Sequence, residues 1–297
     1  MMYMPILIKR GNMNTFFCIM MFIMGAFFGS FFTLAIYRLP LNKNITHERS
    51  FCPNCNHRLE PLDLVPILSY IFLGGKCRYC KEKIRIRYLL LEVFSGIVFV
   101  LIYLSFNMTY PYLNFMRTLN LISFIFMYIV LVIIAGIDKE KNIIQKNVLM
   151  FGFCSNLIFN TYLYYGLNLH NVLQINIRII FAVFALVIYG IYVYYIAGKD
   201  KIILKTDKLK LTKADLEKIE EEKQKRFKAR YNIDIVMLLL YILINTDVQM
   251  LIGIVSVVMC YRVLAELMKK EKIPMAYVIC ILTVIFSMLY NVSIYYF

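Results

Sequence analysis

Charged residues are scarce in this chain, and their scarcity excludes a soluble protein with a single core. Of its 297 residues, 17% are charged and 61% are hydrophobic, whereas an average soluble domain carries about 25% charged residues. Histidine is also scarce, with three residues, and neither a G-x-S-x-G nor an H-E-x-x-H pattern occurs. The sequence therefore offers no motif of a serine hydrolase or of a zinc peptidase.

Six apolar runs are long enough to cross a bilayer, for which about 17 to 25 residues are needed. They lie at 15–36, 89–105, 119–137, 148–165, 177–197 and 275–297. The strands of a transmembrane β-barrel alternate apolar and polar residues, but these runs are apolar on every side. The sequence predicts an all-α polytopic membrane protein.

The basic residues lie between the apolar runs, and their distribution predicts the topology. Lys and Arg number 33 against 18 Asp and Glu, for a net charge of +15. Four segments hold 28 of the 33, with 10 in 38–87, 3 in 138–147, 12 in 198–232 and 3 in 269–272. Short basic loops stay in the cytoplasm. We therefore place all four segments there and expect contact with anionic membrane lipid, not with nucleic acid.

This placement requires the stretch 233–267 to cross the membrane twice, as a hairpin that turns near 245–249. The prediction is about eight transmembrane helices with both termini outside. Residues 1–37 form the first helix, 38–88 a cytoplasmic loop, and 89–297 a multi-helix transmembrane domain with a cytoplasmic insert at 198–232.

The first apolar run is predicted to be a retained helix, because it exceeds the core of a secretory signal, which has about 7 to 15 residues. Gly25, Gly29 and Ser30 are small residues suited to close packing between membrane helices. The insert is predicted to become helical at Thr212, with Thr212 and Asp215 in capping-box positions. Its mixed charges predict a solvated or lipid-surface helix without a chemical role.

Four of the eight cysteines form two Cys-x2-Cys pairs in the loop 38–88: Cys52 with Cys55, and Cys77 with Cys80. The other four (Cys18, Cys154, Cys260 and Cys280) lie in predicted apolar helices, Cys260 in the stretch 233–267, and are interpreted as small hydrophobic side chains. In the reducing cytoplasm, paired Cys-x2-Cys turns predict a zinc ion held by four thiolates. The loop holds too little apolar surface to fold alone, and zinc supplies on the order of 10 kcal/mol to such sites.

Two aspartates stand at the predicted cytoplasmic ends of membrane helices. Asp138 follows the run 119–137 directly, and Asp200 follows the run 177–197 after two residues. Paired carboxylates in a partly desolvated site divide their protonation, so that one activates water and the other polarises a carbonyl group. This is the chemistry of an aspartyl protease.

Several sequence motifs follow one another between Gly29 and Glu92. The segment 29–40 has the sequence G-S-F-F-T-L-A-I-Y-R-L-P, and the loop continues with S-F-C-P-N-C at 50–55, P-I-L-S-Y at 66–70, G-K-C-R-Y-C at 75–80, I-R-I-R-Y at 84–88 and Glu92. This order of motifs resembles the type IV prepilin peptidases, whose opening motif is close to the segment 29–40.

The resemblance implies that Asp138 and Asp200 are the catalytic pair. They are 62 residues apart, which is similar to the spacing in the family. Lys199 stands where the family has a glycine, and the next apolar helix is delayed to Asn232. Asp207 and Asp247 therefore remain alternatives for the second aspartate.

The resemblance also implies a function. Such enzymes cut the short basic leader from prepilins and pseudopilins at the cytoplasmic face of the membrane, and they methylate the new N-terminus with S-adenosylmethionine. The competing interpretation is a degenerate, non-catalytic paralogue or a pilus assembly factor that keeps the zinc loop.

Overall fold

The computed structural model describes residues 4–45, 49–108, 115–162, 179–192, 194, 213–246, 254–258 and 274–296. Over these ranges the chain is mostly α-helical. The helices are α1 (Met4–Arg38), α2 (Leu68–Phe72), α3 (Arg87–Ser105), α4 (Phe115–Lys141), α5 (Lys146–Thr161), α6 (Ile179–Tyr192), α7 (Lys213–Asn245), α8 (described at 254–258) and α9 (Met275–Tyr296). The loop between α1 and α3 adds two short 3₁₀ turns, Leu39–Leu41 and Pro61–Leu64.

Four helical segments in the described part of the chain are long and apolar enough to cross a membrane. They are Asn14–Leu41, Arg87–Ser105, Phe115–Lys141 and Met275–Tyr296. The prediction of a helical membrane protein is therefore confirmed, while about half of the predicted spans remain predictions. Helix α5 has 16 residues, which rise about 24 Å.

Helix α7 joins two stretches that the sequence analysis separated. It begins at Lys213, within the polar insert, and continues without interruption to Asn245. The change from charged to apolar side chains at Asn232 is thus not a break in the backbone. A helix continues through such a change because its N–H to C=O ladder does not depend on side-chain polarity.

The chain forms two compact units. The first comprises Met1–Ile133 and Val284–Phe297. Its helices α1 and α3 approach closely through two glycines, because a methyl group at Gly25 would lie 2.6 Å from the carbonyl oxygen of Ser95 and one at Gly29 would lie 2.7 Å from Cα of Glu92. The predicted close packing at both glycines is confirmed.

The second unit is Ile134–Thr283. Within it α5 packs on α7, with the ring of Phe153 5.4 Å from that of Tyr241. Further along the same pair of helices, the Asn156 side chain donates a 2.8 Å hydrogen bond to Oδ1 of Asn245. These contacts fix α7 beside α5 and place the apolar half of α7 in the core of this unit.

Candidate functional site

The loop between α1 and α3 brings its four cysteines into one cluster. The Sγ atoms of Cys52, Cys55, Cys77 and Cys80 all lie within 4.8 Å of one another. Those of Cys52 and Cys80 are 3.8 Å apart. Four sulfurs around a tetrahedral zinc, with Zn–S bonds of about 2.3 Å, are separated by about 3.8 Å. The spacing therefore fits a four-thiolate metal site.

The two Cys-x2-Cys turns have the same backbone structure. In each, the first cysteine accepts the N–H of the residue four positions later and donates its own N–H to the carbonyl five positions later. The four hydrogen bonds are Asn56 N–H to Cys52 O (2.8 Å), Cys52 N–H to His57 O (3.0 Å), Lys81 N–H to Cys77 O (3.1 Å) and Cys77 N–H to Glu82 O (2.8 Å). Asn56 and Lys81 have the left-handed φ angles of 55° and 59° that such a reversal requires. Matching turns present two sulfurs each to the cluster.

The thiols of this cluster differ in their readiness to ionise. The backbone N–H groups of Cys80 and Tyr79 stabilise the thiolate of Cys77 and lower its pKa to about 7. At Cys55 the N–H of His57 acts in the same direction, but desolvation and the neighbouring sulfurs outweigh it and raise the pKa to about 11. Bound as thiolates, such sulfurs need a cation to offset their mutual repulsion.

Side chains between the two turns hold the cluster together. The rings of His57 and Tyr79, one from each turn, stack with their centroids 3.6 Å apart. Nε of Arg78 lies 2.8 Å from Oδ1 of Asp63, whose side chain is 2% exposed. Because both contacts join segments that precede and follow α2, they close the loop on itself.

Asp138 is the predicted catalytic residue that lies among the described residues of the second unit. It lies three residues before the end of α4, and only 1% of its surface is exposed. Its Oδ2 accepts the backbone N–H of Tyr277 at 2.9 Å, and its Oδ1 accepts the hydroxyl of Tyr231 at 2.8 Å. The carboxylate thus caps the first turn of α9, where orphan N–H groups favour a negative charge.

Tyr231 completes this cap from α7. Its hydroxyl oxygen accepts the backbone N–H groups of Met275 (3.1 Å) and Ala276 (3.4 Å) while it donates to Asp138. One hydroxyl therefore connects the end of α4 with the start of α9. Tyr231 was not among the residues predicted from the sequence.

A second buried carboxylate lies one turn further along α7. Asp234 is 4% exposed, and its Oδ1 accepts the hydroxyl of Tyr189 on α6 at 3.1 Å. The positive charges of Lys146 and Arg230 act on it from nearby. Since Tyr231 and Asp234 are three residues apart, they lie on neighbouring turns of the same face. Asp138 and Asp234 are thus connected through one turn of α7.

Asp234 was not among the residues predicted from the sequence, although it opens the apolar stretch that follows the polar insert. Asp200, Asp207 and Asp247 lie outside the described residues.

Comparisons with known proteins match the N-terminal part of the chain most specifically. Residues 23–106 match the family model of the bacterial peptidase A24 N-terminal domain. This region includes the cysteine loop and the helices α1 and α3 that flank it.

Three relatives share the same name, prepilin leader peptidase/N-methyltransferase. The Klebsiella pneumoniae protein is 32% identical over 146 residues, which cover 47% of this chain and 60% of the relative. The Bacillus subtilis protein is 32% identical over 131 residues (44% and 49%), and the Vibrio cholerae protein is 41% identical over 102 residues (31% and 40%).

These matches leave a considerable part of each relative uncovered. The chain spans between 30% and 60% of the length of the first three curated relatives that it matches. No solved structure matches the chain significantly. The resemblance of this chain to the prepilin leader peptidases is confirmed, and the family model places its specific match at residues 23–106.

Proposed function

We propose that this chain is an aspartyl endopeptidase of the cytoplasmic membrane that removes the basic leader of prepilins and pseudopilins at the cytoplasmic face. The names of its relatives and the match at residues 23–106 support the peptidase assignment. The aspartyl mechanism is supported by one observation above the rest, which is the burial of the Asp138 carboxylate at the end of α4.

In this proposal Asp138 and Asp200 are the catalytic pair, as the sequence predicts, with Asp207 and Asp247 as alternatives for the second carboxylate. Asp234 is a further candidate, because it is buried on α7 one turn from Tyr231, whose hydroxyl binds Asp138. Two carboxyl groups in a desolvated site divide one proton between them. The ionised carboxylate takes a proton from the attacking water, and the protonated carboxyl group donates a hydrogen bond to the scissile carbonyl oxygen. The amine then leaves with a proton as the tetrahedral intermediate collapses.

Cleavage of a prepilin by the purified protein in detergent tests this assignment. Asp138→Asn and Asp200→Asn should each lower the rate by about 10² to 10⁴-fold, while Asp207→Asn, Asp234→Asn and Asp247→Asn should cleave at the wild-type rate. Zinc content and gel filtration verify that each variant is folded. Cleavage kept in Asp200→Asn and lost in Asp234→Asn would make Asp234 the second catalytic carboxylate. No cleavage by the wild-type protein would favour the non-catalytic paralogue.

Zinc is the metal that we propose for the cysteine cluster. Sulfur ligands alone, with no open position, are typical of structural zinc sites. Cys52, Cys55, Cys77 and Cys80 would hold the ion and stabilise the loop, and the ion takes no part in the proteolytic step. We expect metal analysis to find one zinc per chain. Removal of the zinc should expose the four thiols to alkylation.

Methylation of the new N-terminus is a separate part of the proposal. It is supported by the second half of the relatives' name and would require S-adenosylmethionine as the methyl donor. We propose no residue of this chain for binding that donor. Transfer of labelled methyl groups to a cleaved pilin, in a variant that still cleaves, would test it.

The contacts of the second unit support a topology of about eight spans. Helices α5 and α7 run in the same direction, because Lys146 acts on Asp234 at one end and Asn156 meets Asn245 at the other. Helix α9 begins at the level of Asp138, where the N–H of Tyr277 is bound. A double crossing of the membrane between Asn245 and Tyr277 would connect these two levels.

Single cysteines test this topology in a background that keeps only the zinc-site cysteines. An impermeant reagent added to intact cells should label Gln249→Cys and leave Lys270→Cys unlabelled. The opposite pattern would place the segment 269–272 outside and invert the final helix.

A further inference from the structure

The loop that carries the cysteine cluster also carries a large apolar surface, which the metal site and the peptidase proposal do not use. We call it the loop apolar surface. Its side chains and their exposed fractions are Leu62 (68%), Leu68 (51%), Ile71 (61%), Phe72 (83%) and Ile86 (61%). Isolated exposed apolar residues are ordinary, but a group of large ones within a short segment indicates an interaction surface.

One hydrogen bond fixes the depth of this surface along the membrane helices. The backbone N–H of Ile67, the residue before α2, donates to Oε2 of Glu92 at 2.7 Å. Glu92 lies five residues into α3, which corresponds to about 7.5 Å from its first residue. The segment that leads into α2 is therefore held beside the end of a membrane-spanning helix, and does not extend away from it.

The other flanking helix gives the same depth. Gly29 on α1 packs against the backbone of Glu92, since a methyl group there would lie 2.7 Å from its Cα, and Gly29 lies nine residues before Arg38, the end of α1. This separation corresponds to about 13.5 Å along the helix. Ile67 is thus held at a depth that lies within the apolar, candidate membrane-spanning parts of both α1 and α3.

The turn at Ile67 directs the chain toward this level. Ile67 has a φ angle of 64°, and the N–H of Leu68 bonds to the carbonyl of Pro66 at 2.6 Å. This tight reversal, rare for a β-branched residue, leaves the N–H of Ile67 pointing to Glu92. It also starts α2, whose residues Leu68, Ile71 and Phe72 are all exposed.

We propose that the loop apolar surface inserts into the boundary between lipid headgroups and acyl chains, so that the cysteine loop is docked on the bilayer. The exposed basic residues Lys76, Lys83 and Arg85 lie between Phe72 and Ile86 in the sequence. An apolar face bordered by Lys and Arg is typical of interfacial segments, which lie about 5 to 10 Å below the headgroup level. The occupant is the membrane already implied by α1 and α3, and the inference does not depend on peptidase activity.

The absence of tryptophan from the chain provides a direct test. In Phe72→Trp the new indole is the only one, and its emission can be measured with the full-length protein in nanodiscs that contain anionic lipid. The matched control is Tyr79→Trp in the cysteine cluster, beside the charged side chains of Asp63 and Arg78. Bound zinc confirms that each variant is folded, and Ile71→Trp replaces Phe72→Trp if the latter does not bind zinc.

The expected result has three parts. Emission from Phe72→Trp is shifted to shorter wavelength relative to Tyr79→Trp. A lipid labelled near the top of its acyl chain quenches the Phe72→Trp emission more than a lipid labelled near the end of the chain. Acrylamide quenches Phe72→Trp weakly and Tyr79→Trp strongly.

Three results would overturn the inference. Strong acrylamide quenching of Phe72→Trp without lipid quenching would place the surface in water. Protection from both quenchers would show that protein covers it. Equal lipid quenching of Phe72→Trp and Tyr79→Trp would mean that docking is not specific to this surface.

Discussion

The cysteine cluster and the region around Asp138 differ in how far apart in the sequence their parts lie. The sulfurs of Cys52 and Cys80 are separated by 28 positions, within one loop. Asp138 meets Tyr231 across 93 positions and Tyr277 across 139. The first arrangement is local and follows from a short motif, whereas the second exists only after three helices have packed. Their responses to change should differ accordingly.

The largest expected effect is loss of the metal from the cluster. Chelation of zinc, or Cys52→Ser, should unfold the loop, because such sites contribute on the order of 10 kcal/mol to folding. Hydrogen exchange should show lost protection over residues 49–86 and unchanged protection around Asp138. Cys154→Ser, outside the cluster, is the control and should leave the zinc in place. A loop that stays protected without metal would contradict the four-thiolate interpretation.

The second effect belongs to the long-range site. Tyr231→Phe removes a hydroxyl that serves a buried carboxylate and two backbone N–H groups, which should cost about 3 kcal/mol in the free energy of unfolding. Zinc content should not change. Tyr277→Phe is the matched control, since the bond from Tyr277 to Asp138 uses its backbone N–H. Equal destabilisation by both substitutions, measured by thermal unfolding in detergent, would contradict the role of the hydroxyl.

Helix packing in the first unit gives an effect of intermediate size. Gly29→Ala adds a methyl group where only 2.7 Å is available to Cα of Glu92, so we expect destabilisation by about 1 to 3 kcal/mol. Gly190→Ala is the control, because a methyl group there meets nothing within 4 Å, and it should be neutral or stabilising by up to about 1 kcal/mol. If Gly190→Ala were the more harmful of the two, the close approach of α1 and α3 would be wrong.

The smallest effect is expected at the ion pair within the loop. The Arg78 side chain is 43% exposed, and partly solvated pairs contribute below about 1 kcal/mol. Arg78→Ala should therefore retain zinc and lower the stability of the loop only slightly. A loss of zinc comparable to that of Cys52→Ser would show that the pair, and not the metal, holds the two turns together.

The same contrast explains what the sequence could predict. Two Cys-x2-Cys pairs specify their cluster by spacing, because each turn closes through hydrogen bonds within six residues. Asp138 was found because it directly follows a long apolar run. The matched left-handed residues Asn56 and Lys81 were not predicted, since neither position carries the glycine that usually marks such a turn.

Asp234 and Tyr231 were missed for a physical reason. Composition divided α7 at Asn232 into a polar insert and an apolar span, and the second carboxylate was sought in other segments. The backbone of α7 is helical on both sides of that division. Asp234 is buried by its contact with α6, and the hydrophobic periodicity of one helix does not reveal contacts with another. Contacts of this kind require the folded chain.

The uninterrupted course of α7 has a mechanical consequence. From Lys213 to Asp234 the helix extends about 31 Å at 1.5 Å per residue, with no intervening loop along this length to absorb a displacement. Its polar end is therefore continuous with the turn that carries Tyr231 and Asp234. We expect a displacement of the helix near Lys213 to be passed along the backbone to that turn, and so to the hydroxyl that joins Asp138 to the first turn of α9.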